Sequence, residues 1–421
     1  MLYTLLRPFI NFATRQFFRE ILVRGADPVE EGPLIIVSNH PSVMLDGMLS
    51  LATYQRPLWM LAKASIFGST ARNWLLSGLQ FIPVHRRQDS PDKMNENETA
   101  FSAVCEKLKD GEAVLIFPEG QSHALRKVFP VKTGTARIAF QAEVESNFSL
   151  GLKIQPVGLT YSDFQRFRSS VTVRRMEPIV VADYAEEYRE DPVRAVKSLS
   201  SRIESQLKDA LVVIADEQYE SIVSKVAKLY RSAGYGEDDN ARLSAVVEEV
   251  ERLSPKHPEL VEQYEKRLTL YLQLAESFRL DGSEGMGNSE SPLFIVLLCP
   301  LVLLGIFVSY PAYRLTTLLG SSMAKGRKSQ VASWGVATAF FIFPAWYVLL
   351  AAIIGSFTGS ILAGTFWFGL FVAAGYSVAW YLHPVMLFLF STFWPAKRSP
   401  VDLIRVMRND LIQELETYRS K

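Results

Sequence analysis

The chain has 421 residues, and its 45 basic residues are nearly balanced by 44 acidic ones. This balance argues against a nucleic-acid partner, because nucleic-acid-binding domains carry a clear excess of positive charge. Cys105 and Cys299 are the two cysteines, too few and too far apart for a disulfide framework or a zinc site, so no metal is expected. The length permits two or three domains.

The first residues of the chain combine apolar side chains at helical spacing with interspersed arginines. No uninterrupted apolar core precedes a small-residue cleavage site, so a cleaved signal peptide is not expected. We predict that residues 1–29 form an N-terminal amphipathic helix associated with a membrane surface. A helix packed on the core of its own domain is the alternative.

Residues 30–190 alternate short β-branched runs with amphipathic helical patterns. This alternation predicts an α/β domain in which a sheet is flanked by helices. Helices are predicted at 97–109 and 133–142, and strands at 34–38, 58–62, 81–84, 113–117, 154–160 and 171–181.

Residues 191–280 are predicted to be a helical region and residues 281–292 a polar linker. From Ser329 to Ala396 the chain has no Asp, Glu, Lys or Arg, and a transmembrane helix needs roughly 20 apolar residues. We therefore predict a membrane domain over 293–396, followed by a basic cytoplasmic tail over 397–421.

Within the membrane domain, residues 331–357 and 361–381 are two good spans. The basic loop before them and the basic tail after them are both expected in the cytoplasm by the positive-inside rule. Residues 293–313 are interrupted by Pro300, and we favour a re-entrant or interfacial element there over a full span. The chain is predicted to be an integral membrane protein whose soluble domain faces the cytoplasm.

The first candidate site lies at the end of the predicted strand 34–38. Pro41 cannot donate a ladder hydrogen bond, so the chain must turn there and present His40 at the edge of the sheet. Asp46 is close enough to hold one ring nitrogen and leave the other free to accept a proton. Residues 40 and 46 are therefore a candidate general base and its orienting carboxylate, although a lone histidine is more often structural.

Three further motifs lie in or directly after predicted strands. Arg86 begins a pair of cations that can bind phosphate, or that can simply be solvated at the surface. Glu119 and Gly120 come shortly after the strand 113–117 and are either site residues or turn residues. Pro156 suggests that strand 154–160 is an edge strand or carries a bulge.

The segment Gly120–Ala124 nearly matches a G-x-S-x-G nucleophile elbow. Its last position is alanine, and Ser122 and His123 are adjacent, which points their side chains in different directions. We therefore do not favour a serine hydrolase.

In this order, the four motifs resemble those of the PlsC-type phospholipid/glycerol acyltransferase superfamily over about residues 30–180. They are Asn39-His40 with Asp46, Pro83-Val84-His85-Arg86, Phe117-Pro118-Glu119-Gly120 and Pro156-Val157. Five residues separate His40 from Asp46 where the superfamily usually has four. This longer spacing, like the segment 132–137, is similar to a subgroup of glycerol-3-phosphate and dihydroxyacetone-phosphate acyltransferases.

The resemblance implies a PlsC-type α/β acyltransferase sheet flanked by helices, with a helical extension and C-terminal transmembrane helices. It implies transfer of a fatty acyl group to glycerol-3-phosphate or 1-acyl-glycerol-3-phosphate in phosphatidate synthesis. The donor is an acyl-CoA or acyl carrier protein thioester, with no cofactor, and the lipid bilayer is a further partner. Dihydroxyacetone phosphate or another lysophospholipid is the alternative acceptor; a lipid hydrolase, a thioesterase or a binding-only protein is a lower alternative.

The resemblance also implies roles for the site residues. His40 deprotonates the acceptor hydroxyl, and Asp46 orients its ring. Arg86, the backbone at Gly120 and Lys132 hold the acceptor phosphate. Glu119 positions either the acceptor hydroxyls or the phosphate-binding arginine.

Overall fold

The computed structural model of the protein describes residues 2–85, 97–123, 127–162, 167–214, 216–234, 240–277, 292–393 and 400–419. The chain divides into two compact units, Met1–Ala215 and Asp216–Lys421. The first contains the sheet and the second is helical. This boundary differs from the predicted one after residue 190, because the helix that follows that position packs on the sheet.

The first unit is built on an eight-stranded sheet. Seven strands follow the order β1-β7-β6-β2-β5-β3-β4, and β8 pairs with β6. Pairing is parallel except where β6 meets β7 and β8. The strands are β1 Phe18–Gly25, β2 Leu34–Ser38, β3 Leu58–Lys63, β4 Phe81–Val84, β5 Ala113–Ile116, β6 Lys153–Tyr161, β7 Ser169–Arg175 and β8 Ile179–Val180.

Seven helices accompany this sheet in the described part of the first unit. Ile35 and Val37 of β2 and Val114 of β5 belong to an apolar cluster that also takes residues from the fourth, fifth and seventh helices. The helices are α1 Leu2–Phe17, α2 Leu45–Thr53, α3 Thr70–Gly78, α4 Asn97–Lys109, α5 Gly134–Val144, α6 Ala185–Glu190 and α7 Pro192–Ala210.

Helix α7 explains why the first unit extends beyond the boundary predicted after residue 190. Its start is determined locally, since the Asp191 side chain accepts hydrogen bonds from the backbone N–H groups of Val193 and Arg194. Its place in the fold is determined by burial, because Leu199, Ile203 and Leu207 are fully buried in the apolar cluster of the sheet. Burying an aliphatic side chain of this size contributes about 1.5–3 kcal/mol.

The central strands determine where polar side chains gather. All five residues of β2 and all four of β5 are buried. Strands β2, β3, β4, β5 and β6 are mutually parallel, so their carboxyl ends meet at one edge of the sheet. Ligand sites of open α/β sheets lie at this edge.

Three local predictions differ from the structure. The N-terminal helix ends at Phe17, and residues 18–25 form β1 instead of continuing the helix, because they pair with the otherwise open edge of β7. The single strand predicted over 171–181 is two strands, β7 and β8. Pro156 lies in an inner strand. It falls between the residues of β6 that pair with β8 and those that pair with β7, so the sheet loses no hydrogen bond through its missing N–H.

The second unit contains a bundle of four helices: α8 Glu220–Ser232, α9 Asn240–Leu253, α10 Pro258–Ser277 and α14 Pro400–Arg419. Helix α14 packs against the other three. The Tyr264 hydroxyl donates to the carbonyl of Leu411 at 3.0 Å, and Arg267 pairs with Glu414 at 2.6 Å. The segment that we predicted as a basic cytoplasmic tail is thus, in its described part, a helix of this bundle.

Three helices between α10 and α14 are long and apolar enough to cross a membrane. They are α11 Pro292–Ala324, α12 Lys328–Thr358 and α13 Ile361–Phe393. Helix α11 runs on through Pro300 and Pro311, so the element predicted over 293–313 is longer than its sequence pattern indicated.

The contacts among the apolar helices give their relative directions. Phe294 meets Tyr381 with ring centroids 5.7 Å apart, and Gly305 lies against Ala374 and Val378. As residue numbers rise along α11 they fall along α13, so these two segments are antiparallel. The start of α11 and the later part of α13 therefore lie near each other.

The close approach of β1 to β7 generates a stability prediction. Gly25 has φ +82°, and a Cβ there would collide with the carbonyl oxygen of Arg175. Gly32 has φ +76° with nothing within 4 Å of the Cβ position. Gly25→Ala should lower the free energy of unfolding by about 1–2 kcal/mol through its left-handed backbone and by a further ~1–3 kcal/mol through overpacking. Gly32→Ala should lose only the contribution from the left-handed backbone. Apparent melting temperatures of the two variants check this, and equal losses would contradict it.

Candidate active site

The loop after β2 is anchored to its neighbour β6 by one side chain. Asn39 donates from Nδ2 to the carbonyl of Leu159 at 3.0 Å and accepts from the Leu159 N–H at 2.8 Å. An asparagine amide can pair in this way with both backbone groups of one strand residue. The two bonds tie the residue after β2 to β6 beyond the last paired residues of these strands, and so they help to position the next residue, His40.

The structure brings the side chains of His40 and Asp46 together. The His40 Nδ1 and Asp46 Oδ2 atoms are 2.7 Å apart, and the Ser42 N–H donates to the same oxygen at 2.8 Å. Asp46 is fully buried in the first turn of α2, where the helix dipole favours a negative charge. The His40 ring stacks on Phe117, with centroids 3.9 Å apart and planes 12° apart.

This arrangement determines how the imidazole can act. A carboxylate that binds Nδ1 favours the tautomer in which Nδ1 carries the proton and Nε2 has a free lone pair. Of the two ring nitrogens of His40, Nδ1 alone has a hydrogen-bond partner among the described residues. The His40 Nε2 atom is therefore available to accept a proton from a bound hydroxyl.

The sequence analysis missed the third group at this site, Tyr161. Its hydroxyl donates to Asp46 Oδ1 at 2.5 Å, from the last residue of β6. Burial raises the pKa of Asp46 above its usual range, while the hydrogen bonds from His40, Tyr161 and Ser42 oppose that rise. Burial raises the pKa of Tyr161 well above its usual value, and the charge of Asp46 adds to this.

A second buried histidine–carboxylate pair follows β5. Glu119 is bound through Oε2 to Nε2 of His123, and both side chains are nearly inaccessible to solvent. The backbone N–H of His123 donates to the carbonyl of His40 at 3.0 Å, which joins the two pairs. Glu119 Oε1 and His123 Nδ1 are buried without a partner among the described residues, so a ligand that donates a hydrogen bond would satisfy the carboxylate.

Gly120 and Lys132 also meet at this edge of the sheet. Gly120 has φ +73°, and a Cβ on it would collide with the Nζ atom of Lys132. The backbone N–H of Lys132 donates to the carbonyl of Pro118 at 3.1 Å, which holds the lysine beside this turn. The Lys132 side chain is exposed, so an ammonium group lies ready for an anion next to the buried Glu119–His123 pair.

Arg86, the other predicted phosphate ligand, lies outside the described residues, which stop at His85 and resume at Asn97. These two ends are tied together. The His85 N–H donates to Asn97 Oδ1 at 2.7 Å, and Asn97 Nδ2 donates to the His85 carbonyl at 2.8 Å. These bonds hold His85 and Asn97 together at the carboxyl end of β4.

The nucleophile elbow considered for residues 120–124 has no supporting geometry in its described part. His123 Nε2 is bound to Glu119, and Ser122 makes no side-chain hydrogen bond with the described residues. A serine nucleophile needs a base within hydrogen-bond reach.

Comparison with known proteins gives consistent matches over the first unit. Residues 20–160 match the Acyltransferase family. Glycerol-3-phosphate O-acyltransferase 2 of Saccharomyces cerevisiae is 31% identical over 141 residues, which cover 33% of this chain and 19% of that protein. Glycerol-3-phosphate O-acyltransferase 1 of the same yeast is 28% identical over 138 residues, covering 32% and 18%. The matched part of the chain thus spans about a fifth of the length of these relatives.

A solved structure, the 1-acyl-sn-glycerophosphate acyltransferase PlsC from Thermotoga maritima, covers 49% of this chain and 82% of its own. The identity is 20% and the TM-score is 0.34.

Proposed function

Because residues 20–160 carry a domain of the acyltransferase family, we propose that this protein is a membrane-bound glycerolipid O-acyltransferase. It moves a fatty acyl group from an acyl-CoA or acyl carrier protein thioester to glycerol-3-phosphate or 1-acyl-glycerol-3-phosphate, without a cofactor. The observation that carries the proposal is the buried His40–Asp46 pair, whose second ring nitrogen remains free. Dihydroxyacetone phosphate and other lysophospholipids are the alternative acceptors.

The geometry supports direct transfer. Nε2 of His40 removes the proton of the acceptor hydroxyl as its oxygen attacks the thioester carbonyl, and Asp46 stabilises the imidazolium that forms. The tetrahedral intermediate collapses with cleavage of the C–S bond. The departing sulfur takes the proton back from His40, so the products are an ester and a free thiol.

Two features support an acceptor that carries both hydroxyls and a phosphate. Glu119 Oε1 is a buried carboxylate oxygen with no donor among the described residues, and an acceptor hydroxyl would supply one. The Lys132 ammonium lies beside Gly120, where it can pair with a phosphate. Arg86 is proposed as a second phosphate ligand on the strength of its motif.

The first unit also offers a surface for lipid. Leu5, Phe9 and Phe12 of α1 are each more than half exposed, and Trp74 of α3 is 69% exposed. Helix α1 lies beside α3, since Leu2 packs against Gly78. Exposed apolar patches of this kind mark interaction surfaces, and an amphipathic helix with apolar and basic residues binds at a lipid interface.

We further propose that α12 and α13 cross the membrane while α11 enters and leaves at the cytoplasmic face. The helices before α11 and after α13 pack in one bundle, which supports an even number of crossings. Lys325 and Arg327 between α11 and α12, with Lys328 at the start of α12, support a cytoplasmic position for that loop. Residues 211–219 contain only a short apolar run, too short to cross, so we place the catalytic domain on the cytoplasmic face.

His40→Ala should lower acceptor-dependent thiol release from palmitoyl-CoA by about 10²–10⁴-fold, because the general base is lost. The measurement uses the full chain in lipid nanodiscs, with each candidate acceptor tested separately and acyl carrier protein donors tried in parallel. His257→Ala, at an exposed histidine of the second unit, is the control and should retain activity. Release that needs no acceptor would favour a hydrolase, and no release with either donor would contradict the proposal.

Lys132→Ala should raise the KM for a phosphorylated acceptor about tenfold, with little change in kcat, because one charged contact to the phosphate is lost. Lys153→Ala, at an exposed lysine of β6, should leave both constants unchanged. An unaltered KM in the Lys132 variant would exclude this residue from the phosphate site.

The membrane arrangement is tested with single cysteines in a background where Cys105 and Cys299 are replaced by alanine. Lys256→Cys in the bundle and Asn409→Cys in α14 should react with an impermeant maleimide from the same side of sealed vesicles. Thr358→Cys, at the end of α12, should react from the other side. Labelling of residues 256 and 409 from opposite sides would establish an odd number of crossings.

A further inference from the structure

We infer that Tyr161 is a positioning residue of the acyl transfer: its hydroxyl holds Asp46 in the orientation in which this carboxylate orients His40. The inference rests on the proposed function of the His40–Asp46 pair. It adds a third side chain from a different strand, outside the four sequence motifs.

The two oxygens of Asp46 are bound differently. Oδ2 accepts from the His40 ring at 2.7 Å and from the Ser42 N–H at 2.8 Å, both of which belong to the loop after β2. Oδ1 accepts from the Tyr161 hydroxyl at 2.5 Å. Tyr161 is thus the donor that comes from another part of the fold, and it prevents the carboxylate from rotating away from His40.

The sheet brings the tyrosine to this point. Strand β6 pairs with β2 from Lys153 to Val157 and then extends four residues further, to Tyr161. Asn39 binds both backbone groups of Leu159, and Tyr161 lies two residues beyond it. Since strand side chains alternate between faces, Leu159 and Tyr161 point to the same face of β6.

The surroundings keep the tyrosine a donor. Two titratable groups, His40 and Tyr161, affect the ionisation of Asp46. Asp46 is the titratable group that affects the ionisation of Tyr161. The Glu119–His123 pair is connected to His40 through the bond from the His123 N–H to the His40 carbonyl. Burial and the Asp46 charge raise the pKa of Tyr161 well above its usual value, so the hydroxyl stays protonated at neutral pH.

The expected pH effect follows from this hydrogen bond. Tyr161 stabilises the ionised form of Asp46, so its removal raises the pKa of the carboxyl. The His40–Asp46 pair then takes up its inactivating proton at a higher pH. Tyr161→Phe should shift the acid limb of the kcat profile to higher pH by about one unit. It should lower kcat near neutral pH about tenfold and leave the acceptor KM unchanged.

Tyr54→Phe is a matched control. Tyr54 is likewise a buried tyrosine of the first unit, and its hydroxyl donates at 2.7 Å to the neutral side chain of Gln155. Its removal should lower thermal stability but leave the position of the acid limb unchanged. A merely structural role for Tyr161 predicts the same behaviour for both variants.

The experiment uses the full chain in nanodiscs and records kcat and KM from pH 5 to pH 9, with apparent melting temperatures over the same range. The stability loss of Tyr161→Phe should increase as pH rises, since the hydroxyl favours only the ionised Asp46, whereas that of Tyr54→Phe should not vary. An active Tyr161→Phe protein with an unshifted acid limb and a pH-independent stability loss would overturn the inference. A wild-type protein without acceptor-dependent release would instead refute the proposed function, and with it the role of Tyr161 in the reaction.

Discussion

The first unit of this protein depends on one constraint: the carboxylate of Asp46 is completely buried and must therefore be surrounded by donors. An ionised carboxylate without partners would be strongly destabilised in the protein interior. Its donors come from a turn, a histidine ring and the end of a different strand. Satisfying the carboxylate thus requires β2, α2 and β6 to meet at one point, and that meeting point is also where His40 is oriented.

The second buried carboxylate, Glu119, has fewer hydrogen-bond donors from the described residues than Asp46. One of its oxygens is bound by His123, and the other lacks a partner among the described residues. Asp46 has donors on both oxygens from the protein itself, whereas Glu119 retains the capacity to accept a bond from a ligand. Under the proposed function the two carboxylates have different roles: Asp46 orients the general base, and Glu119 contacts the acceptor.

The second unit is subject to a constraint of another kind. Helix α14 packs on helices that precede the apolar segment, so the chain must return to the bundle from which it left. The antiparallel contact of α11 with α13 agrees with this return. A bilayer admits no polar linker across its core. Helices that pack together in water must therefore lie on the same side of a membrane, and the chain between them must cross it an even number of times.

The amino-acid sequence by itself determined the α/β class, most strands and helices, the apolar region and the His40–Asp46 pair. Apolar periodicity, β-branched runs and a proline after a strand are local signals, and each is readable without the fold. Only the tertiary structure decided that residues 18–25 form an edge strand, that α7 belongs to the sheet and that Pro156 lies in an inner strand. It alone joined Tyr161 to Asp46, since they lie 115 positions apart in the sequence and no local pattern reports which strands become neighbours.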